Sequence, residues 1–325
     1  MLGLGLAASS AHQIFEQPHL WQKIYNLVPP GTEGLQPFLK VFNPPPPPPG
    51  APAGGMGQAQ AINEKPELIN QILEKTNAAY EVLRKQLEAY KPDAIVIVGA
   101  DRGEMFSRIN MPMFATYLGK EAKAIPGVPG IPESLKEPIT VKCHSELGTE
   151  IVQELVAKGF DISFGLTFNP QGGNKNSISH MVTGPVMKLT PNLNVPVIPF
   201  FINSYFPPLP PARRCFELGL ALRGILNERP ERVAILASGG LSSDMLGRWV
   251  DEPLDRWIIK QLTMGRNEEL KKLFTIQSQV LDHATGEIRA WITVAAACGG
   301  KAKMVDYIPS RQAKTGLAFA YWQPS

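Results

Sequence analysis

The chain has 325 residues, 44% of them hydrophobic and 19% charged, which gives enough apolar material for a large core and excludes disorder throughout. Its 32 basic and 29 acidic residues leave a net charge of +3 with no dense basic stripe, so nucleic acid is not an expected partner and small molecules or other chains are. Three widely spaced cysteines, Cys143, Cys215 and Cys298, are odd in number and lack zinc-ligand spacing, which fits a reducing cytoplasm and no disulfide framework.

Met1 to Ala8 has the apolar character of a signal segment but no basic flank, and it predicts a buried first strand. No apolar run reaches the roughly 20 residues that would cross a bilayer. A Pro/Gly-rich segment at about 43–61 includes the unbroken run Pro44 to Pro49; it suits polyproline II or a flexible loop and predicts an insertion. From Pro66, the residues Leu68, Ile69, Ile72, Leu73, Ala79, Tyr80, Leu83 and Leu87 recur at helical spacing, with the proline placed for a first turn. That helix leads into the apolar run Ala94 to Gly99.

Further β-branched runs bounded by turn residues predict strands at Ile162 to Thr167, Val195 to Phe201, Val233 to Ala237 and Met304 to Ile308. Helical patterns lie between them, around Leu147 to Val156 and Cys215 to Ile225. Strands alternating with helices of this length indicate an α/β domain. With no internal repeat and no second composition regime, one domain over 1–325 is expected, its C-terminal third mostly helical.

Ligands collect at the carboxyl ends of strands in such folds, which singles out Arg102, just beyond Gly99. A guanidinium has five donors and no acceptor, so it cannot coordinate a cation. The histidines number five. His12 follows the first strand beside Ser9 and Ser10 in a ligand-like position, and His180 lies in a polar segment between two strands as a candidate acid or base. His19, near Pro18 and Trp21, reads as packing; His144 stands where it would organise the start of a helix; His283 reads as a loop residue.

Several stretches in one order resemble the class III extradiol ring-cleavage dioxygenase family: Ser9-Ser-Ala-His12, Pro92 to Val98 with Asp101 and Phe106, Val141 to Leu147, His180 with Pro185, Val197 to Asn203 with Tyr205, Gly239-Gly-Leu-Ser242, Gly286-Glu287, and Tyr307-Ile-Pro309. The resemblance implies a central mixed sheet flanked by helices, of the catalytic-subunit type. It also implies ferrous iron held by two histidines and a glutamate, with a catecholate chelating the metal. Carried over by motif, His12 and Glu287 correspond to metal ligands and His180 to a histidine near substrate. The second histidine ligand is replaced by Arg102 and the catalytic base by Ser243, so Arg102 is expected to pair with Glu287 or with a substrate anion.

The expected catalytic centre is therefore His180, Arg102 and Glu287. His12, Asn203, Ser243, Arg311, Lys314 and Thr315 are expected to bind substrate. No cofactor is expected unless His283, Asp101 or Glu104 rescues the ligand set, in which case Fe(II) would sit on His12 and Glu287. The expected function is binding of a small phenolic or carboxylated aromatic compound with altered, metal-independent chemistry, in a cytoplasmic homo-oligomer or a hetero-oligomer with a related subunit. The competing readings are a noncatalytic subunit supporting an active paralogue and, behind it, iron-dependent ring cleavage with a rescued ligand set. Gly239 to Asp244 is not a nucleophile elbow, so serine hydrolysis is set aside.

Overall fold

Strand β1, Leu2–Ala8, lies inside the sheet, as its apolar sequence predicts. The computed structural model describes residues 1–26, 66–106, 110–128, 130–167, 177–206, 208–243, 250–273 and 283–324. The proline-rich segment lies outside them. After a short helix α1, Trp21–Asn26, the chain resumes in the long helix α2, Pro66–Tyr90. Its buried face is Ile69, Ile72, Thr76, Ala79, Tyr80, Leu83 and Leu87, close to the predicted stripe, whereas Leu68 faces outward.

Helix α2 feeds β2, Ala94–Gly99, which is buried along its whole length. Short strands β3, Phe114–Tyr117, β4, Glu121–Ala124, and β5, Ile139–Lys142, precede helix α3, Ser145–Ala157. Then come β6, Ser163–Gly165, helix α4, His180–Leu189, and β7, Val197–Ile202. Helix α5, Ala212–Asn227, β8, Val233–Ser238, and helices α6, Glu252–Met264, and α7, Ile288–Cys298, follow. The final hairpin is β9, Lys303–Ser310, with β10, Thr315–Trp322.

Eight strands form one mixed sheet in the order β6-β3-β7-β2-β8-β1-β10-β9, and β4 pairs with β5 apart from it. The sheet is parallel from β7 through β2 and β8 to β1; β10 and β3 join its two sides antiparallel. Central parallel strands are covered on both faces, so they read as unbroken apolar runs. Alternate residues of β2 show this directly. Val96 and Val98 pack with α5 and α7 through Phe216, Leu222 and Trp291, while Ile95 and Ile97 pack with α2 and α4 through Leu83, Met181 and Val182.

The registers bring the ends of the four parallel strands level. Ala8 and Gly99 both pair with Ser238, and Gly99 also pairs with Phe201. Everything that leaves these strands, His12 from β1, Arg102 from β2, Tyr205 from β7 and Gly240 from β8, therefore emerges at one edge.

One expectation is corrected. The C-terminal third is not mostly helical, because it closes with β9 and β10. β10 carries Ala318 and Ala320, residues of low strand propensity, and is a strand because β1 and β9 pair with it on both sides. His180 lies between β6 and β7, where it opens α4.

Candidate active site with two polar clusters

At the carboxyl edge of the sheet, the turn after β2 carries Asp101, Arg102 and Glu104. Asp101 holds it, accepting from the backbone N–H groups of Gly103, Met105 and Phe106 at 3.0 to 3.2 Å. Burial, and then the neighbouring Glu104 charge, push the Asp101 carboxyl up to about 7 against those bonds.

The first cluster forms on Arg102. Its guanidinium donates to Glu287 Oε1 from NH2 at 2.9 Å and from Nε at 3.2 Å, and Nε also donates to the Tyr205 hydroxyl at 2.8 Å. Tyr205 in turn donates to the same Glu287 oxygen. The other oxygen, Oε2, accepts from Gly240 N–H at 3.0 Å. Gly239 has φ +148°, and a Cβ there would stand 3.0 Å from Glu287 Oε2; a Cβ on Gly240 would meet Thr315 Oγ1 at 2.1 Å. The glycine pair lets the backbone reach the carboxylate. Burial alone would raise the Glu287 pKa, but Arg102, then His180 and the hydrogen bonds, hold it below the ordinary carboxylate range. Burial also opposes the charge of Arg102, and Tyr205 and Glu287 outweigh it. Tyr205, raised by burial, stays protonated.

The second cluster forms on Glu104. Its Oε2 accepts from His180 Nδ1 at 2.6 Å, from His180 N–H at 3.1 Å, and from the Ser179 hydroxyl. The carboxylate thus caps α4, where the helix dipole favours a negative charge. Burial works to raise Glu104, but His180 and then His12 and Ser179 hold it down at about 2. The His12 ring stands 4.6 Å from the His180 ring, tilted by 40°. Burial, then His180 and Arg102, lower the His12 pKa well below the usual imidazole range, so it is neutral at pH 7. Among the described residues, the buried His180 Nε2 has no hydrogen-bond partner. One donor atom from each of His12, Glu104 and His180 lies within 4.8 Å of the others, the arrangement among the described residues that could hold a metal ion. These three side chains border a cavity of about 200 Å³ that Lys136, Lys188 and Phe15 also line.

The chain that carries this site has known relatives. The sequence pattern of the family described as the catalytic LigB subunit of aromatic ring-opening dioxygenase matches residues 60–317. The chain belongs to the LigB family. A 2,3-dihydroxyphenylpropionate/2,3-dihydroxicinnamic acid 1,2-dioxygenase from Photorhabdus laumondii is 32% identical over 166 residues, covering 51% of this chain and 47% of that protein. An enzyme of the same name from Klebsiella pneumoniae is 31% identical over 172 residues, 53% of this chain and 50% of that protein. The chain spans about half the length of the relatives it matches. A crystal structure of an uncharacterized Escherichia coli K12 protein superposes with a TM-score of 0.47 at 14% identity over 76% of this chain and 92% of that chain, too loose a likeness to argue from.

Within this LigB-type frame, His12, Arg102, His180 and Glu287 all reach the same strand edge, and Arg102 pairs with Glu287. The residues expected to bind substrate do not line the cavity, His12 excepted. Asn203 locks its own loop: Nδ2 donates to Phe206 O at 2.7 Å and Pro208 O at 3.2 Å, and Oδ1 accepts from the N–H groups of Tyr205 and Phe206. That loop sets Tyr205. Ser243 donates to Lys314 O and Thr315 to Ser242 O, tying β8's exit to the final hairpin. Arg311 is exposed on the hairpin turn, and Lys314 Nζ lies 4.8 Å over the Tyr25 ring.

His144 caps α3, its Nδ1 accepting from Leu147 N–H at 3.3 Å, as its position implied. His19 is exposed rather than packed. Residues 283–287 form a single tight turn before α7, and the His283 side chain lies outside the described residues. Sequence reading gave Glu104 only a minor part. Its spacing from Asp101 on a strand-end turn was the available signal, but its partner stands 76 residues away.

Proposed function

We propose that this chain binds a small phenolic or carboxylated aromatic compound in the cavity beside His12, Glu104 and His180, with the family's iron position closed by Arg102. The ion pair between Arg102 and Glu287, buried and completed by Tyr205 and Gly240, carries this reading. The family pattern would hold Fe(II) between His12, a histidine at position 102, and Glu287. Those positions do not fit it: one is a permanent cation, and both oxygens of Glu287 already accept hydrogen bonds. Iron at that place has no part in the chemistry of this chain.

His180 is the side chain suited to proton transfer. Glu104 fixes its Nδ1, and a second ring nitrogen is left without a partner. With no ion on His180, a phenol entering the cavity would give its proton to that nitrogen. Lys136 and Lys188 would balance a carboxylate at the cavity wall. Arg102 and Glu287 act by holding each other and the turns that carry them. The same reading takes 1–325 as one LigB-like domain in a cytoplasmic oligomer. Among the described residues no helix is long and apolar enough to cross a membrane.

Calorimetric titration with protocatechuate and 2,3-dihydroxyphenylpropionate tests this, together with oxygen uptake and analysis for ring-opened product. Saturable binding, weakened about tenfold or more by His180→Gln, is expected, as loss of one buried hydrogen bond of this kind implies. Ring opening by the wild type that is lost in Glu287→Gln would overturn the closed iron position. Failure to bind any catechol, with stimulation of an active paralogue, would favour the noncatalytic subunit.

A further inference from the structure

We propose that His12, Glu104 and His180 form a binding site for a first-row divalent cation such as zinc, displaced from the place where the family pattern sets its iron. The proposal rests on the reading that Arg102 closes that place.

Two imidazoles and one carboxylate are the donor set that borderline first-row cations take, and a facial arrangement of these three leaves further positions open. The donor atoms lie within 4.8 Å of one another. Metal bonds of roughly 2.1 Å put donors about 3.4 Å apart around a tetrahedral ion, so donors at most 4.8 Å apart would have to close by about 1.4 Å or less. His12 sits in a short turn after β1, Glu104 in the turn after β2 and His180 at the head of α4, so three separate segments of the fold supply the trio.

A second observation points the same way. Among the described residues His180 Nε2 is buried without a partner, in a side chain only 7% exposed that borders the cavity. Buried polar atoms are nearly always satisfied, and an ion or its bound water would satisfy this one. Among the described residues the donors to Glu104 all go to Oε2, which leaves Oε1 for an ion. The local charge permits a cation. Glu104 supplies a full negative charge against the two rings, Arg102 is paired with Glu287 and Lys136 stands 3.9 Å from Glu16, while Lys188, bonded to the neutral Asn77, keeps its charge at the cavity wall. The cavity gives the ion access and room for an exogenous oxygen ligand.

The test is titration of the metal-free, full-length chain with Co(II), followed by its visible ligand-field bands, and with Zn(II) by calorimetry. One equivalent is expected to bind. Glu104→Gln and His180→Gln are each expected to weaken it about a hundredfold or more, at least the upper end of what loss of an outer-shell partner costs a metal site. The double variant Arg102→Gln/Glu287→Gln removes both charges of the other cluster and is expected to change affinity by no more than about threefold, as rearrangement at a neighbouring, non-ligating pair implies. X-ray absorption at the cobalt edge of the wild type is expected to show two imidazoles, a result independent of how any variant folds. Absence of Co(II) and Zn(II) binding by the wild type overturns this proposal and leaves the closed iron position standing. Binding that survives Glu104→Gln but is lost in the double variant overturns both.

Discussion

The two polar clusters at the carboxyl edge of the sheet are built from similar groups and end in different states. Around Arg102, one cation meets one carboxylate, and a phenol and a backbone N–H complete the coordination of both Glu287 oxygens. Around Glu104, all three donors converge on one oxygen, and His180 keeps a ring nitrogen unmatched beside a cavity. The first is a closed structural joint and the second an open site. A buried ion pair whose partners satisfy each other resists a third participant, whereas a buried histidine with one nitrogen fixed and one unmatched invites one.

The largest expected effect comes from opening the joint. Arg102→Met leaves Glu287 charged and buried, and should cost about 3 to 5 kcal/mol in urea denaturation; Arg102→Met/Glu287→Met should recover most of it. An additive double variant would show that the pair is not a unit. Next comes Glu104→Gln, expected to cost about 1.5 to 3 kcal/mol through loss of charged hydrogen bonds to His180 and Ser179.

The same variant has a pH signature. Glu104 is held near 2 against an ordinary 4.5, so its contribution is present above pH 4.5 and is lost as pH falls toward 2. Asp101 has the opposite sign: raised from 3.8 to about 7, its contribution is full below pH 3.8 and is lost as pH rises through 7. Stability measured across this range should lose its acid limb in Glu104→Gln and its neutral limb in Asp101→Asn. Unchanged limbs would contradict the assignment of either group.

A smaller effect tests the backbone of the joint. Gly240→Ala brings a methyl onto Thr315 Oγ1 and should cost about 1 to 3 kcal/mol by overpacking, with Glu287 displaced from the Gly240 N–H. Least of all, His144→Ala should cost about 1 kcal/mol through loss of the α3 cap and leave aromatic and Co(II) binding unaltered, which makes it the control for both clusters.

Much of the fold was legible along the chain because its central strands are parallel and covered on both faces. β2 and β8 are continuous apolar runs, and α2 shows its buried stripe at a helical period. The short strands β3, β4 and β5 have four residues each, too few to establish an alternation, and alanine-bearing β10 depends on its neighbours. For the site, Arg102 and Glu287 were readable as an ion pair because the charge of a guanidinium is fixed whatever surrounds it. An amide near a strand end suits a ligand or a loop equally well in sequence, and only the tertiary structure shows the four bonds that Asn203 makes to its own loop.

The sequence by itself determined the α/β class, the family and the presence of a permanent cation at a strand end. These follow from local periodicity, ordered motifs and a charge that does not titrate. Only the tertiary structure decided that Glu104 belongs with His180 rather than with Arg102, and that one carboxylate is enclosed while the other borders a cavity. Adjacent residues on one turn point to different neighbours, and those neighbours arrive from 76 and 185 positions away through strand registers that no local pattern encodes.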